Sequence, residues 1–131
     1  MSTTEHANGA ATILLVEDTA VQALRFKASL EENGCTVRWV ENGLDGLKAA
    51  HEDFYDLIIL DIELPDLNGF EVCRRLKDDP AVAEIPVIML TTRDRAEDAL
   101  AGLGSGAVDY IPKDAFANLV LLETLKQMGL L

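Results

Sequence analysis

The sequence predicts an α/β domain in which five parallel strands form a doubly wound sheet covered by five helices. Three observations predict it. Short apolar, β-rich runs alternate with segments of helical periodicity five times along the chain. Residues 13–16, 57–60 and 87–90 are apolar at every position, as strands covered on both faces must be. Glycine, proline and asparagine punctuate the joints, and right-handed crossovers fold such βα units into one layered domain.

The units follow in order. The first strand, 13–16, leads into a helix over 20–33, with Val21, Leu24 and Ala28 on one face and Gly34 as its stop. The second strand is 36–40 and its helix 43–52, with Leu44, Leu47 and Ala50 at helical spacing. The third strand, 57–60, runs into a loop marked by Pro65, Asn68 and Gly69. A helix over 70–77 follows, with Val72, Cys73 and Leu76 inward and Pro80 closing it. Pro86 opens the fourth strand, 87–90, and the fourth helix is 94–104. The fifth strand is 107–111 and the last helix 114–128. Residues 1–11, with Ser, Thr, Asn, Gly and Ala, read as a flexible tail, and 12–131 as one domain with a full core.

Composition narrows the function classes. A net charge of −12 disfavours nucleic acid as a direct ligand, because phosphate binding needs clustered Lys and Arg. No apolar run approaches the roughly 18–20 residues of a membrane span, and the N-terminus lacks a secretory signal, so a cytoplasmic protein is expected. Cys35 and Cys73 form no metal or disulfide spacing and read as buried free thiols. His6 falls in the tail and His51 at a polar helix end, neither with an evident partner.

In a doubly wound sheet, ligands sit beyond the C-terminal ends of the strands. Glu17 and Asp18 follow the first strand, Asp61 the third, Thr91 and Thr92 the fourth, and Lys113 the fifth. Each alone has an ordinary structural reading, as a helix cap or a solvated loop residue. Together they place three acids, a hydroxyl and a lysine on one sheet edge. The turn after the first strand is anionic and lacks a phosphate-cradling glycine loop, which argues against a flavin mononucleotide site or a P-loop. Hard oxygen ligands suit Mg²⁺, and with a lysine and a hydroxyl the set suits phosphoryl transfer onto a carboxylate.

These residues lie in ILLVEDTAVQ, LIILDIELPDLNGFEV, PVIMLTT and GAVDYIPK, in an order and spacing that resemble the response-regulator receiver domains of two-component signalling. The resemblance implies the flavodoxin-like receiver fold, with strand order 2-1-3-4-5. It implies that Asp61 accepts a phosphoryl group from the phosphohistidine of a histidine kinase or phosphotransfer protein. Glu17, Asp18, Asp61 and the backbone carbonyl of Glu63 would hold Mg²⁺ (or Mn²⁺), while Thr91 and Lys113 would bind phosphoryl oxygens. Thr91 and Tyr110 would form the switch, and the face of the fourth helix, fifth strand and last helix the output surface or a homodimer contact. Such a protein is a signalling phosphoacceptor rather than an enzyme, with self-directed phosphotransfer and autodephosphorylation. The alternatives are a degenerate receiver used as a binding module and a small-molecule aspartyl phosphatase.

Two departures stand out. Family members usually carry Lys-Pro with a cis peptide where this chain has Lys113-Asp114. A cis bond before a non-proline residue costs roughly 3–4 kcal/mol, so a trans bond is expected. Glu63 and Arg93, two residues beyond Asp61 and Thr91, are expected to pair across the site entrance and tune phosphate lifetime. In the last helix, Phe116, Leu119 and Val120 share one face and Leu121, Leu125 and Met128 the opposite one, and the second stripe suggests a partner surface. Whether the chain is a stand-alone receiver or part of a hybrid protein stays open.

Overall fold

The structure, a computed structural model, describes residues 11–92, 100–101 and 104–131. Strands β1 (Thr12–Val16), β2 (Thr36–Val40), β3 (Leu57–Asp61), β4 (Val87–Thr91) and β5 (Asp109–Pro112) form one parallel sheet in the order β2-β1-β3-β4-β5. The helices named among the described residues are α1 (Ala20–Glu32), α2 (Gly43–Glu52), α3 (Gly69–Asp78) and α4 (Ala117–Gln127). The fourth predicted helix, 94–104, lies largely outside the described residues, so four named helices stand against the five expected.

The sheet divides two apolar layers. Ile13, Leu15, Leu57, Ile59, Ile88 and Leu90 face α1 and α4, while Leu14, Val16, Ile58, Leu60 and Met89 face α2 and α3. Every residue of β3 and β4 is buried, which is why both read as uninterrupted apolar runs. Ala11, expected at the end of the tail, is already buried, and its carbonyl accepts the Thr36 amide at 2.8 Å. β5 is an edge strand, where Pro112 is tolerated because its missing N–H costs no ladder bond on the open side. The parallel register pairs Val16 with Leu60, Asp61 with Leu90 and Thr91 with Pro112, so the strand ends carrying the acids, hydroxyl and lysine lie side by side.

Helix orientation departs from the expected faces. Val21 and Leu24 are 72% and 56% exposed, and α1 instead buries Ala23, Phe26 and Leu30. Both triplets have helical spacing, and burial goes to the one with the greater apolar volume. In α2, Leu44 is exposed and Leu47 half-buried, while Gly46, Ala49 and Ala50 are buried and Gly43 packs against Val72 of α3 and the loop before it. A Cβ at Gly46 would stand 3.0 Å from a Val16 methyl, so small residues let α2 lie close to β1. In α3, Val72, Cys73 and Leu76 are buried as expected, and Cys35 and Cys73 are buried free thiols. Gly34, at φ 91°, ends α1 in the left-handed region that favours glycine. His51, expected to lack a partner, has its Nε2 2.6 Å from Asp79 Oδ2 and its Nδ1 2.9 Å from the Leu47 carbonyl. Asp79 is 28 residues away, and only the fold brings it there.

Candidate functional site

The site is assembled from the ends of β1, β3, β4 and β5. Glu17 continues β1: its amide donates to the Val40 carbonyl at 3.1 Å, and its carbonyl accepts the Trp39 indole N–H at 2.7 Å. This backbone anchoring directs the Glu17 carboxylate into a position only 1% exposed, whereas Asp18 next to it is exposed. Asp61 ends the central strand β3 and is 4% exposed.

The loop that follows folds back on Asp61. The Gly69 amide donates to the Ile62 carbonyl at 2.8 Å, Glu63 and Asn68 form an antiparallel bridge, and Asn68 caps α3 through the Phe70 amide at 2.8 Å. A Cβ at Gly69 would stand 2.3 Å from the Asp61 carbonyl oxygen, so the turn behind β3 closes only with glycine. Asp66, in this loop, accepts the amides of Gly43 and Leu44 at 2.8 Å and so caps α2. Its carboxyl is pushed up by burial, but the amides of Leu44, Gly43 and Leu67 hold it below the usual carboxylate range.

The side chains converge as the sequence predicted. Carboxylate oxygens of Glu17, Asp18 and Asp61 all lie within 4.8 Å of one another. Lys113, its side chain 7% exposed, sets its ammonium 2.5 Å from Glu17 Oε1 and 3.1 Å from Asp61 Oδ2. Its amide donates to the Thr91 carbonyl at 2.6 Å, and the peptide to Asp114 is trans, as expected. Thr91 is fully buried at the end of β4. Tyr110 is half-buried on β5 and packs against the layer formed with α2 and α3.

Electrostatics mark Asp61 apart. Burial and the negative charge of Glu17 raise its carboxyl to about 6, against the opposing pull of the Lys113 ammonium and the Glu63 amide. Glu17 and Asp61 share one ammonium, Asp18 adds a third carboxylate to the group, and the remaining negative charge, on hard oxygen donors, fits a divalent cation such as Mg²⁺. Glu63 places its amide 3.2 Å from Asp61 Oδ1, and its side chain accepts the Thr92 hydroxyl at 2.7 Å. Arg93, its expected partner, lies outside the described residues.

Thr92, placed at the strand end by the sequence, has a partner the sequence did not show, and Gln22 escaped sequence reasoning as a participant. Thr92 bridges to Glu63, and Gln22, in the first turn of α1, accepts from Lys113 Nζ at 2.7 Å. Gln22 follows the acidic pair by a single helical turn, which is the one sequence signal that places it near the strand ends.

The family model for the response regulator receiver domain matches residues 13–126. Protein PilH of Pseudomonas aeruginosa is 40% identical over 115 residues, covering 88% of this chain and 94% of that protein. The transcriptional regulatory protein AfsQ1 of Streptomyces coelicolor is 41% identical over 102 residues, covering 78% of this chain but 44% of its own length. Among solved structures, the receiver domain of the sensor histidine kinase PA1611 of P. aeruginosa, with a magnesium ion coordinated in its active site cleft, superposes with a TM-score of 0.82 at 30% identity, covering 90% of this chain and 96% of that one.

Proposed function

The chain belongs to the response regulator receiver domain family, and on that premise we propose that it is a cytoplasmic phosphoacceptor, with Asp61 receiving a phosphoryl group from the phosphohistidine of a histidine kinase or phosphotransfer protein. The observation that carries this reading is Asp61 itself: a buried carboxylate at the end of the central strand, 3.1 Å from its lysine and grouped with two further acids.

Asp61 is the nucleophile. Its oxygen forms the new P–O bond as the donor's P–N bond breaks, with the electron pair left on the histidine nitrogen. The rigid strand and the Gly69 turn hold the carboxylate at a fixed position, so little entropy is lost on reaching the attack geometry. Lys113 offsets charge on the transferred group, and Thr91 donates a hydrogen bond to one of its oxygens. Glu17, Asp18, Asp61 and the Glu63 carbonyl would hold Mg²⁺ or Mn²⁺, which when bound supplies charge neutralisation for the carboxylates and the phosphoryl oxygens. In autodephosphorylation, water attacks phosphorus and the bond to Asp61 breaks, returning the carboxylate.

The signal is a population shift. Contacts between Thr91 and the phosphoryl group favour a packing in which Tyr110 turns inward, and the output face expected on the predicted fourth helix, β5 and α4 changes shape. Phe116, just before α4, and Leu119 and Val120 on it form an exposed apolar stripe on this face, suited to a second copy or an effector.

The test is to incubate the protein with Mg²⁺ and phosphoramidate and to look for an acid-stable, base-labile adduct. Stoichiometric labelling that is lost in Asp61→Asn and on chelation is expected. Repeated turnover of small phosphate esters, or no labelling at all, would overturn the reading in favour of a phosphatase or a binding module.

A further inference from the structure

Lys113 has three ammonium N–H donors, and three acceptors surround it: Glu17 Oε1 at 2.5 Å, Gln22 Oε1 at 2.7 Å and Asp61 Oδ2 at 3.1 Å. Two of these acceptors belong to the acidic cluster. Their strength toward the ammonium depends on what else they hold, because a carboxylate engaged by a proton or a cation is a poorer partner for a lysine. Gln22 is different. It is a neutral amide outside the acidic cluster, and its acceptor strength is unchanged when the charge on Glu17 or Asp61 is taken up.

The fold makes this contact from distant parts of the chain. Gln22 and Lys113 are 91 residues apart, on the first turn of α1 and just past the edge strand β5. The rotation of α1 that buries Ala23, Phe26 and Leu30 and exposes Val21 is the one that brings Gln22 to the ammonium. The Lys113 side chain is 7% exposed, so a lost partner is not readily replaced by bulk water. The backbone of Lys113 is tied to the sheet by the hydrogen bond its N–H donates to the Thr91 carbonyl, whereas its long side chain has several free torsions. Held only by Glu17 and Asp61, the ammonium would follow whichever carboxylate remained free.

We propose that Gln22 is the positioning residue for Lys113, keeping the ammonium beside Asp61 when Glu17 is engaged by a divalent cation. The proposal rests on the phosphoacceptor reading for its consequence, but the contact itself is testable without phosphorylation. Gln22 does not touch the transferred group. It acts by retaining one neutral, directional bond to the lysine while the charged partners change.

The experiment uses the full chain with ¹⁵N-labelled lysine and two variants, Gln22→Met, which has similar length and no amide acceptor, and Gln22→Glu, which keeps an acceptor. In the metal-free and the Mg²⁺-saturated protein, a slowly exchanging Lys113 ammonium resonance, assigned by its absence in Lys113→Arg, is expected in the wild type and in Gln22→Glu. In Gln22→Met it is expected to broaden, most with Mg²⁺ present. Labelling by phosphoramidate at saturating Mg²⁺ is expected to slow roughly tenfold in Gln22→Met, as for one lost hydrogen bond to a charged group. An unchanged ammonium resonance in Gln22→Met overturns the contact, and an altered resonance with an unchanged labelling rate overturns the positioning role. A wild type that is never labelled defeats the phosphoacceptor reading instead, and the resonance still decides whether Gln22 holds Lys113.

Discussion

Asp61 combines burial with a negative neighbour, and its acid–base behaviour follows. Its folded carboxyl sits at about 6, above the usual 3.8, because burial and Glu17 disfavour the charged form more than Lys113 and the Glu63 amide favour it. The metal-free folded protein therefore retains a proton that the unfolded chain has already released between about pH 4 and 6. Stability should fall as pH rises through that window, by at most about 3 kcal/mol from this group. Urea unfolding of the metal-free protein at pH 4 and pH 7, compared with Asp61→Asn, measures it; equal pH dependence in the two proteins would contradict the account. Glu63 offers a second residue-scale test. Its carboxylate holds the Thr92 hydroxyl at 2.7 Å beside Asp61, so Glu63→Ala frees that hydroxyl and opens one side of the site. Decay of the acyl phosphate in Glu63→Ala should change by about twofold or more, as read from loss of label over time.

At the scale of elements, helix termini and helix faces decide how the strand ends are presented. Asp66 binds the loop after β3 to the N-terminus of α2 through two amides at 2.8 Å, a carboxylate at the positive end of a helix. Asp66→Ala should cost about 1–2 kcal/mol in urea unfolding at neutral pH. Because the folded Asp66 carboxyl lies below its ordinary value, this contribution is present above that value and disappears as pH falls through the depressed one. The difference between wild type and Asp66→Ala should therefore shrink in strong acid, and a difference that persists there would point to packing instead. His51 and Asp79 tie the end of α2 to the segment before β4. The Leu47 carbonyl and Asp79 raise the His51 pKa, and the Ala81 amide and His51 lower that of Asp79, so their ion pair spans the pH range between the two.

At the scale of the molecule, the α4 surface is where apolar area exceeds what the core uses. Leu121 and Leu125 are buried against the sheet, while Leu119 is 67% exposed beside Phe116 and Val120. A substitution there leaves the core untouched, so Leu119→Lys should unfold like the wild type to within about 0.5 kcal/mol. Sedimentation with and without a phosphoryl mimic should show association in the wild type that Leu119→Lys reduces; a strict monomer in both states would remove the self-association reading. No helix among the described residues is long and apolar enough to cross a membrane.

The chain's own order of residues determined the five strands, the parallel sheet and the acids, hydroxyl and lysine at its edge, because buried strands and strand-end chemistry leave local marks. Strand 36–40, the apolar run 57–60 of β3 and the inward face of α3 follow from residue type alone. The faces of α1 and α2 did not, since competing sets of residues have helical spacing and only docking selects one, against Ile13, Leu15 and their neighbours for α1 and against Val16 for α2. The partners of His51, Asp66, Thr92 and Lys113 were equally hidden, at separations of 28, 23, 29 and 91 residues for Asp79, Gly43, Glu63 and Gln22. Polar contacts of that kind carry no periodic signature, and tertiary packing alone decides which side chains meet.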